Sequence, residues 1–91
     1  MISEFRNDER GYDAWRTANP RGFVFNHFGG ANPADNIIHR ASCSFLSRAS
    51  DAGARTHYPK ICGGTRKEVE AAASRIRGDA GGWKLCGVCI R

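Results

Sequence analysis

The clearest hydrophobic pattern in the chain lies in its C-terminal third. Apolar residues there recur at i, i+3, i+4 and i+7: Val69, Ala72, Ala73 and Ile76. This spacing places them on one face of a helix. Thr65 and Glu68 precede the stripe as a capping box, in which each side chain bonds to the backbone N–H of the other residue. The pattern predicts a helix over 66–77 that packs through one apolar face and ends at Gly78.

A second helix is predicted over residues 8–18. Asp8 is a candidate N-cap, and the acidic residue that follows it favours the positive end of the helix dipole. Tyr12 and Trp15 are three residues apart and share one face. The helix should end at the Asn-Pro pair 19–20, because the residue before a proline is pushed out of helical geometry.

Short runs of β-branched and aromatic residues predict three strands. GFVFN (22–26) and NIIHR (36–40) are separated by glycines, a proline and an aspartate, so they predict a hairpin. THYPKIC (56–62) is the third strand, and Pro59 within it predicts an edge position because proline has no N–H for a sheet ladder. Between them, Ser42 is a candidate cap for a short helix in CSFLSRA (43–49).

The length of 91 residues fits one domain. A domain of this size buries only about two-thirds of its unfolded surface, so a metal or another cross-link would benefit it. A hydrophobic share of 41% argues against disorder. The predicted class is α+β: a short antiparallel sheet, made of the hairpin plus a third strand, and two to three short helices. Residues 1–21 form a helical extension and residues 36–91 the core of this single domain.

The apolar runs are all shorter than the ~18 residues of a membrane span, and the first residues lack the basic and apolar regions of a secretory signal. We therefore expect a cytoplasmic protein that does not engage membranes. Thiols stay reduced in that compartment, so the four cysteines point to a metal or to chemistry before disulfides.

The cysteines suggest a metal site. Cys86 and Cys89 form a C-x2-C knuckle, a spacing that lets both sulfurs reach one ion. His39 and Cys43 are about one helical turn apart and supply two further ligands. Cys62 is the alternate fourth ligand, since zinc accepts four thiolates, or three thiolates and an imidazole. We favour His39 because it is paired with Cys43, whereas Cys62 ends an apolar strand where a buried thiol is common. The expected cofactor is one structural Zn²⁺.

The charge suggests a polyanionic partner. Lysine and arginine number 14 against 9 acidic residues, for a net charge of +5, and arginine suits phosphate geometry. The expected partner is DNA, double-stranded in the first instance, and solubility is the competing explanation of the charge. The candidate nucleic-acid contacts are Arg40, Arg48, Arg66, Lys67, Lys84 and the loop aromatic Phe28.

Four stretches in order, HRASCSFL, YPKIC, TRKEVEAAA and WKLCGVC, resemble the Ada-type metal-binding domain over residues 36–91. In that family four ligands hold zinc, and the domain occurs in a DNA methylphosphotriester repair protein and as an accessory module beside nucleases. The first ligand of the repair proteins is a cysteine that accepts the methyl group. His39 stands there in this chain, so the resemblance does not imply self-alkylating repair. The interval between the ligand pairs, 44–85, is also longer than is usual in the family.

The resemblance and the charge together predict a zinc-binding, DNA-binding module. Such a module would read modified DNA, or direct a bacterial defence (restriction-modification) or repair system to DNA beside a nuclease domain or partner protein. The alternative is a zinc-stabilised protein–protein interaction module without nucleic-acid binding. We do not expect an enzyme, because a zinc ion with four protein ligands has no open position for water and the sequence offers no positioned acid–base pair.

Overall fold

The computed structural model describes residues 2–27, 36–47, 53, 55–77 and 82–90. The elements along the chain are β1 Ile2–Phe5, α1 Glu9–Ala18, β2 Phe23–His27, β3 Asn36–Arg40, a 3-10 turn Ser44–Ser47, β4 Lys60–Gly63, α2 Arg66–Arg77 and β5 Lys84–Leu85. The α+β class is confirmed. Neither helix in these ranges is long and apolar enough to cross a membrane.

The five strands form one sheet in the order β1-β4-β2-β3-β5. The first three contacts are antiparallel, and β5 alone runs parallel to its neighbour β3. The predicted hairpin of β2 and β3 is present, with Phe25 opposite Ile38. On its other side Phe25 lies opposite Ile61 of β4. The centre of the sheet is therefore a row of large apolar side chains.

Alternation along the strands divides the core between the two faces of the sheet. The α2-side cluster consists of Phe23, Phe25, Ile38, Ile61, Val69, Ala72, Ala73 and Ile90. The α1-side cluster consists of Tyr12, Val24, Ala41, Cys43, Leu46, Cys62 and Cys86. His39 follows Ile38 in β3 and lies opposite Val24, so its side chain belongs to the α1 side.

Both predicted helices are present. α2 spans the predicted residues, and its capping box is formed: the Glu68 N–H donates to Thr65 Oγ1, and the Thr65 N–H donates to a Glu68 carboxylate oxygen, both at 3.3 Å. The apolar stripe is buried except at Ile76, which lies near the helix end and is 42% exposed. α1 begins after Asp8, whose carboxylate accepts the Gly11 N–H at 3.0 Å.

The edge position predicted for the third strand is wrong. β4 lies between β1 and β2 and bonds to both. The physical reason is that Pro59 precedes Lys60, the first residue of the strand, so β4 itself loses no N–H from its ladder. Residues predicted only as a helical extension also supply β1, which covers β4 and takes the edge position instead. The helix predicted over 43–49 is a 3-10 turn within the described part of that segment.

Candidate metal centre

Four side chains with metal-ligating atoms converge beside the β3–β5 edge of the sheet. They are His39, Cys43, Cys86 and Cys89, and their ligand atoms all lie within 4.8 Å of one another. In a tetrahedral site with metal–sulfur bonds of about 2.3 Å, neighbouring sulfurs are roughly 3.8 Å apart. The observed cluster is compatible with that geometry after a small contraction. These four residues, which the sequence analysis favoured as ligands, could bind a metal ion.

The end of β3 and the turn after it position the first pair. His39 is held in the ladder opposite Val24 and is only 6% exposed. The chain then turns tightly, and the Cys43 N–H donates to the Arg40 carbonyl oxygen at 2.9 Å. This turn brings the buried Cys43 side chain back beside the imidazole.

The short strand β5 positions the second pair. Its parallel ladder continues past its last residue, because the Cys86 N–H donates to the Ile38 carbonyl oxygen at 2.9 Å. Cys86 is thereby fixed next to the residue that precedes His39. The knuckle then closes with a 3.0 Å bond from the Ile90 N–H to the Cys86 carbonyl oxygen, and Ile90 is buried in the α2-side cluster.

Arg40, predicted as a DNA contact, is bonded to the knuckle. Its backbone N–H donates to Cys89 Sγ at 3.2 Å, and its Nε donates to the Cys89 carbonyl oxygen at 2.7 Å. Its guanidinium carbon also lies 5.5 Å from the centre of the Phe23 ring. Outer contacts of this kind orient metal ligands, and an amide donated to a ligand sulfur stabilises the thiolate. The structure therefore gives Arg40 a role in holding Cys89.

The thiols of Cys86 and Cys89 compete for negative charge. Burial raises the pKa of Cys89, and the neighbouring Cys43 and Cys86 raise it further, against the opposing bond from the Arg40 amide. Burial also acts to raise the pKa of Cys86, but hydrogen bonds from the backbone of Cys89 and Val88, together with those from the Cys89 and Cys43 side chains, outweigh it and lower the pKa. The thiolate form of Cys86 is thus favoured over that of Cys89. A divalent cation at the centre of the cluster would stabilise all three thiolates together.

Cys62, the alternate ligand, does not belong to the four-residue group. It is fully buried in β4 within the α1-side cluster. Burial raises the pKa of its thiol to about 12. These are the properties of a core thiol, which is the role that its place at the end of an apolar run indicated.

The other predicted nucleic-acid contacts have different surroundings. Arg66 donates from Nε to Glu70 at 2.6 Å, one helical turn further along α2. Lys67 and Lys84 are exposed, on α2 and β5 respectively. Phe28 and Arg48 lie outside the described residues. The predicted contacts that the structure describes therefore come from different elements, Arg66 and Lys67 from α2 and Lys84 from β5.

Sequence reasoning missed Arg16, a residue of α1 that contacts residues 41–46, the loop that carries the ligand Cys43 (the ligand loop). Its guanidinium donates to the carbonyl oxygens of Ala41 at 2.9 Å, Leu46 at 3.2 Å and Cys43 at 3.5 Å. Arg16 lies 27 residues before Cys43, so no local spacing connects the two. Its place on the same helix face as Tyr12, four residues earlier, was the only available signal.

Three thiols and one imidazole are a ligand set that structural metal sites use. Comparison of the chain with protein-family models, with curated proteins and with solved structures found no match. What the site does must therefore be inferred from its own geometry. That geometry is a four-ligand cluster with three buried members and a half-buried Cys89, built by β3, β5 and the turns that follow them.

Proposed function

We propose that this protein is a zinc-stabilised module that binds DNA. The observation that carries the metal part is the convergence of His39, Cys43, Cys86 and Cys89 within 4.8 Å. Soft thiolates with an imidazole in tetrahedral arrangement favour zinc over the hard cations magnesium and calcium. With four protein ligands the ion would have no open position for a substrate or water, so we assign it a structural role and propose no catalytic activity for the module.

Several acidic side chains accept hydrogen bonds from the protein's own backbone, and this supports the DNA part of the proposal. Asp8 caps α1, and Glu68 caps α2. Glu9 accepts the backbone N–H groups of Gly53 and Arg55 at 2.8 and 2.6 Å, and these bonds lower the pKa of its carboxyl. Carboxylates bound in this way are less available to neutralise surface cations.

Several basic side chains remain at the surface. Besides Arg40, whose guanidinium bonds to the knuckle, five basic residues of the described part are exposed and take part in no ion pair there: Arg10, Arg21, Lys67, Arg75 and Lys84. Such residues attract a phosphate backbone through counterion release, which needs no sequence recognition. Lys67 and Arg75 both lie on α2, eight residues apart, so they project from broadly the same side of the helix.

The Ada-type resemblance completes the proposal. Its basis is the ligand spacing and the order of the four stretches within residues 36–91. Under this interpretation the chain is a diverged, non-alkylating form that directs a nuclease or repair partner to DNA, with modified DNA as the preferred target. His39 at the first ligand position supports a structural centre over methyl transfer.

The metal part is tested by zinc stoichiometry of the purified protein and of two variants. We expect one tightly bound zinc in the wild type and in Cys62→Ala, and loss of tight binding in His39→Ala. Loss of zinc in Cys62→Ala alone would overturn the ligand assignment. Absence of zinc from the wild type after refolding with the metal would overturn the metal part as a whole.

The DNA part is tested by fluorescence anisotropy with a short duplex at increasing salt. Each phosphate contact contributes a slope of about −0.9 in log K against log salt. Lys67→Gln and Lys84→Gln should weaken binding and each make the slope shallower by about that amount. Arg6→Gln is the matched control, since it removes the same charge from a side chain already paired with Glu4. Absent or salt-independent binding would overturn DNA binding and favour the protein-interaction alternative.

A further inference from the structure

We propose that Arg16 is a positioning residue of the metal centre, which couples the docking of α1 to the occupancy of the site. The inference rests on the proposed metal binding. Arg16 Nε donates to the Ala41 carbonyl oxygen at 2.9 Å, and Nη1 donates to that of Leu46 at 3.2 Å. A third, longer bond of 3.5 Å joins Nη2 to the carbonyl oxygen of the ligand Cys43.

One planar side chain thus gathers three carbonyl groups of the loop that follows His39. An arginine fork is suited to this task because its donors point in fixed directions and its charge does not titrate. Hydrogen bonds with an ionised donor are also stronger than neutral ones. Ala41 and Leu46 lie on either side of Cys43 in sequence, so their bonds to Arg16 restrain the loop on both sides of the ligand.

Arg16 is itself held against the core. Its guanidinium carbon lies 5.5 Å from the centre of the Tyr12 ring, within range of a cation–π contact. Tyr12 is fully buried and belongs to the same cluster as Cys43 and Cys86. α1 therefore carries Arg16 together with Tyr12, which packs in the cluster that contains two of the ligands.

This arrangement has a thermodynamic consequence. If Arg16 holds Cys43 in the ligating position, its bonds favour metal binding, and metal binding must favour those bonds by the same free energy. The metal should then stabilise α1, although none of the four ligands lies on that helix. An arginine that only stabilised the fold would contribute equally to the metal-free and metal-bound states and would produce no such coupling.

The test compares Arg16→Gln with Arg10→Gln, a matched loss of charge at an exposed position of the same helix. Zinc affinity is measured by competition with a chromophoric chelator. Loss of contacts behind metal ligands typically weakens affinity by about 10- to 100-fold, and we expect a loss of this size for Arg16→Gln and none for Arg10→Gln. Arg16→Lys, which keeps the charge but not the fork, should recover part of the affinity.

Two further measurements separate positioning from folding. In the wild type, adding zinc should slow amide exchange in α1, and Arg16→Gln should abolish this slowing. The visible spectrum of the cobalt-substituted protein should change in Arg16→Gln, because the Cys43 sulfur shifts, and remain unchanged in Arg10→Gln. If Arg16→Gln fails to fold, Arg16→Lys and the wild-type exchange experiment still decide the question.

The outcomes distinguish this inference from the proposal beneath it. A wild-type protein that binds no metal overturns the proposed zinc site. A wild-type protein that binds zinc, but shows no effect of zinc on α1 exchange, overturns the inference alone. Equal zinc affinity of Arg16→Gln and Arg10→Gln would also overturn the inference alone.

Discussion

Under the proposed zinc binding, removal of the metal should release the C-terminal segment, residues 82–90, from the rest of the domain. β5 contains only two residues, and its ladder with β3 is extended by the bond from the Cys86 N–H to the Ile38 carbonyl oxygen. The apolar side chains that this segment packs against the α2-side core are Trp83, Leu85 and Ile90. A strand this short is marginal by itself, so the link between the knuckle and β3 through the metal should keep it in place.

The size of the effect follows from linkage. A ligand present at 1,000 times its dissociation constant stabilises the folded state by about 4.1 kcal/mol. For a domain of 60–100 residues, each kcal/mol shifts Tm by about 4–8 °C. Stripping zinc held at that ratio should therefore lower Tm by roughly 15–30 °C. Amides of the C-terminal segment should lose protection before those of the central strands.

The assay is thermal unfolding with and without a chelator at constant pH, combined with amide hydrogen exchange. The Cys86 and Ile90 amides, whose acceptors are the carbonyl oxygens of Ile38 and Cys86, should exchange faster without metal. Cys62→Ala is the control for loss of a cysteine outside the cluster and should respond to the chelator as the wild type does. Complete removal of zinc with unchanged Tm and unchanged exchange would refute the reasoning.

Three further predictions concern the fold. Thr65→Ala removes the cap bond to the Glu68 N–H and should cost about 1 kcal/mol in denaturant unfolding, whereas an unchanged midpoint would contradict the capping role. Gly22→Ala should cost about 1–3 kcal/mol in the same assay, because its new methyl group would lie 2.7 Å from the Trp15 ring; equal stability would show that α1 can shift without cost. Cys62 has a folded pKa raised to about 12, so its stabilising contribution is complete below its ordinary pKa of 9.0 and is lost as pH rises towards 12. Between pH 9.0 and 12 the free energy of unfolding should fall less steeply with pH in Cys62→Ala than in the wild type. Identical slopes in the two proteins would contradict a raised pKa for the buried Cys62 thiol.

Local signals account for the parts of the structure that sequence could predict. α2 was recognisable because its cap, its apolar spacing and the glycine after it lie within 14 residues, 65–78. The hairpin of β2 and β3 was recognisable for the same reason, since turn residues separate two β-branched runs. The ligand pairs were also local, because H-x3-C and C-x2-C are each contained in one turn of chain.

The missed features depend on long-range pairing. β1, with the sequence ISEF, has few apolar residues, and it is a strand because β4 offers it a partner edge almost 60 positions away in the chain. β5 is only two residues long, too short for any periodicity. The effect of Pro59 on strand position could not be deduced either. Proline destabilises a sheet only where its nitrogen faces a neighbouring strand that would accept a hydrogen bond, and this depends on the tertiary fold.

The sequence by itself determined the ligand types, the two halves of the candidate metal centre and the helix that packs beneath the sheet, because each depends on residues close together in the chain. Tertiary structure decided how these parts combine. The parallel pairing of β5 with β3 brings the halves together, and it leaves Cys62 in the core instead of in the cluster. The tertiary structure also places Arg40 against the knuckle and Arg16 against the ligand loop. A charged side chain meets its partner only after the chain has folded, so its role depends on three-dimensional neighbours that sequence spacing does not record.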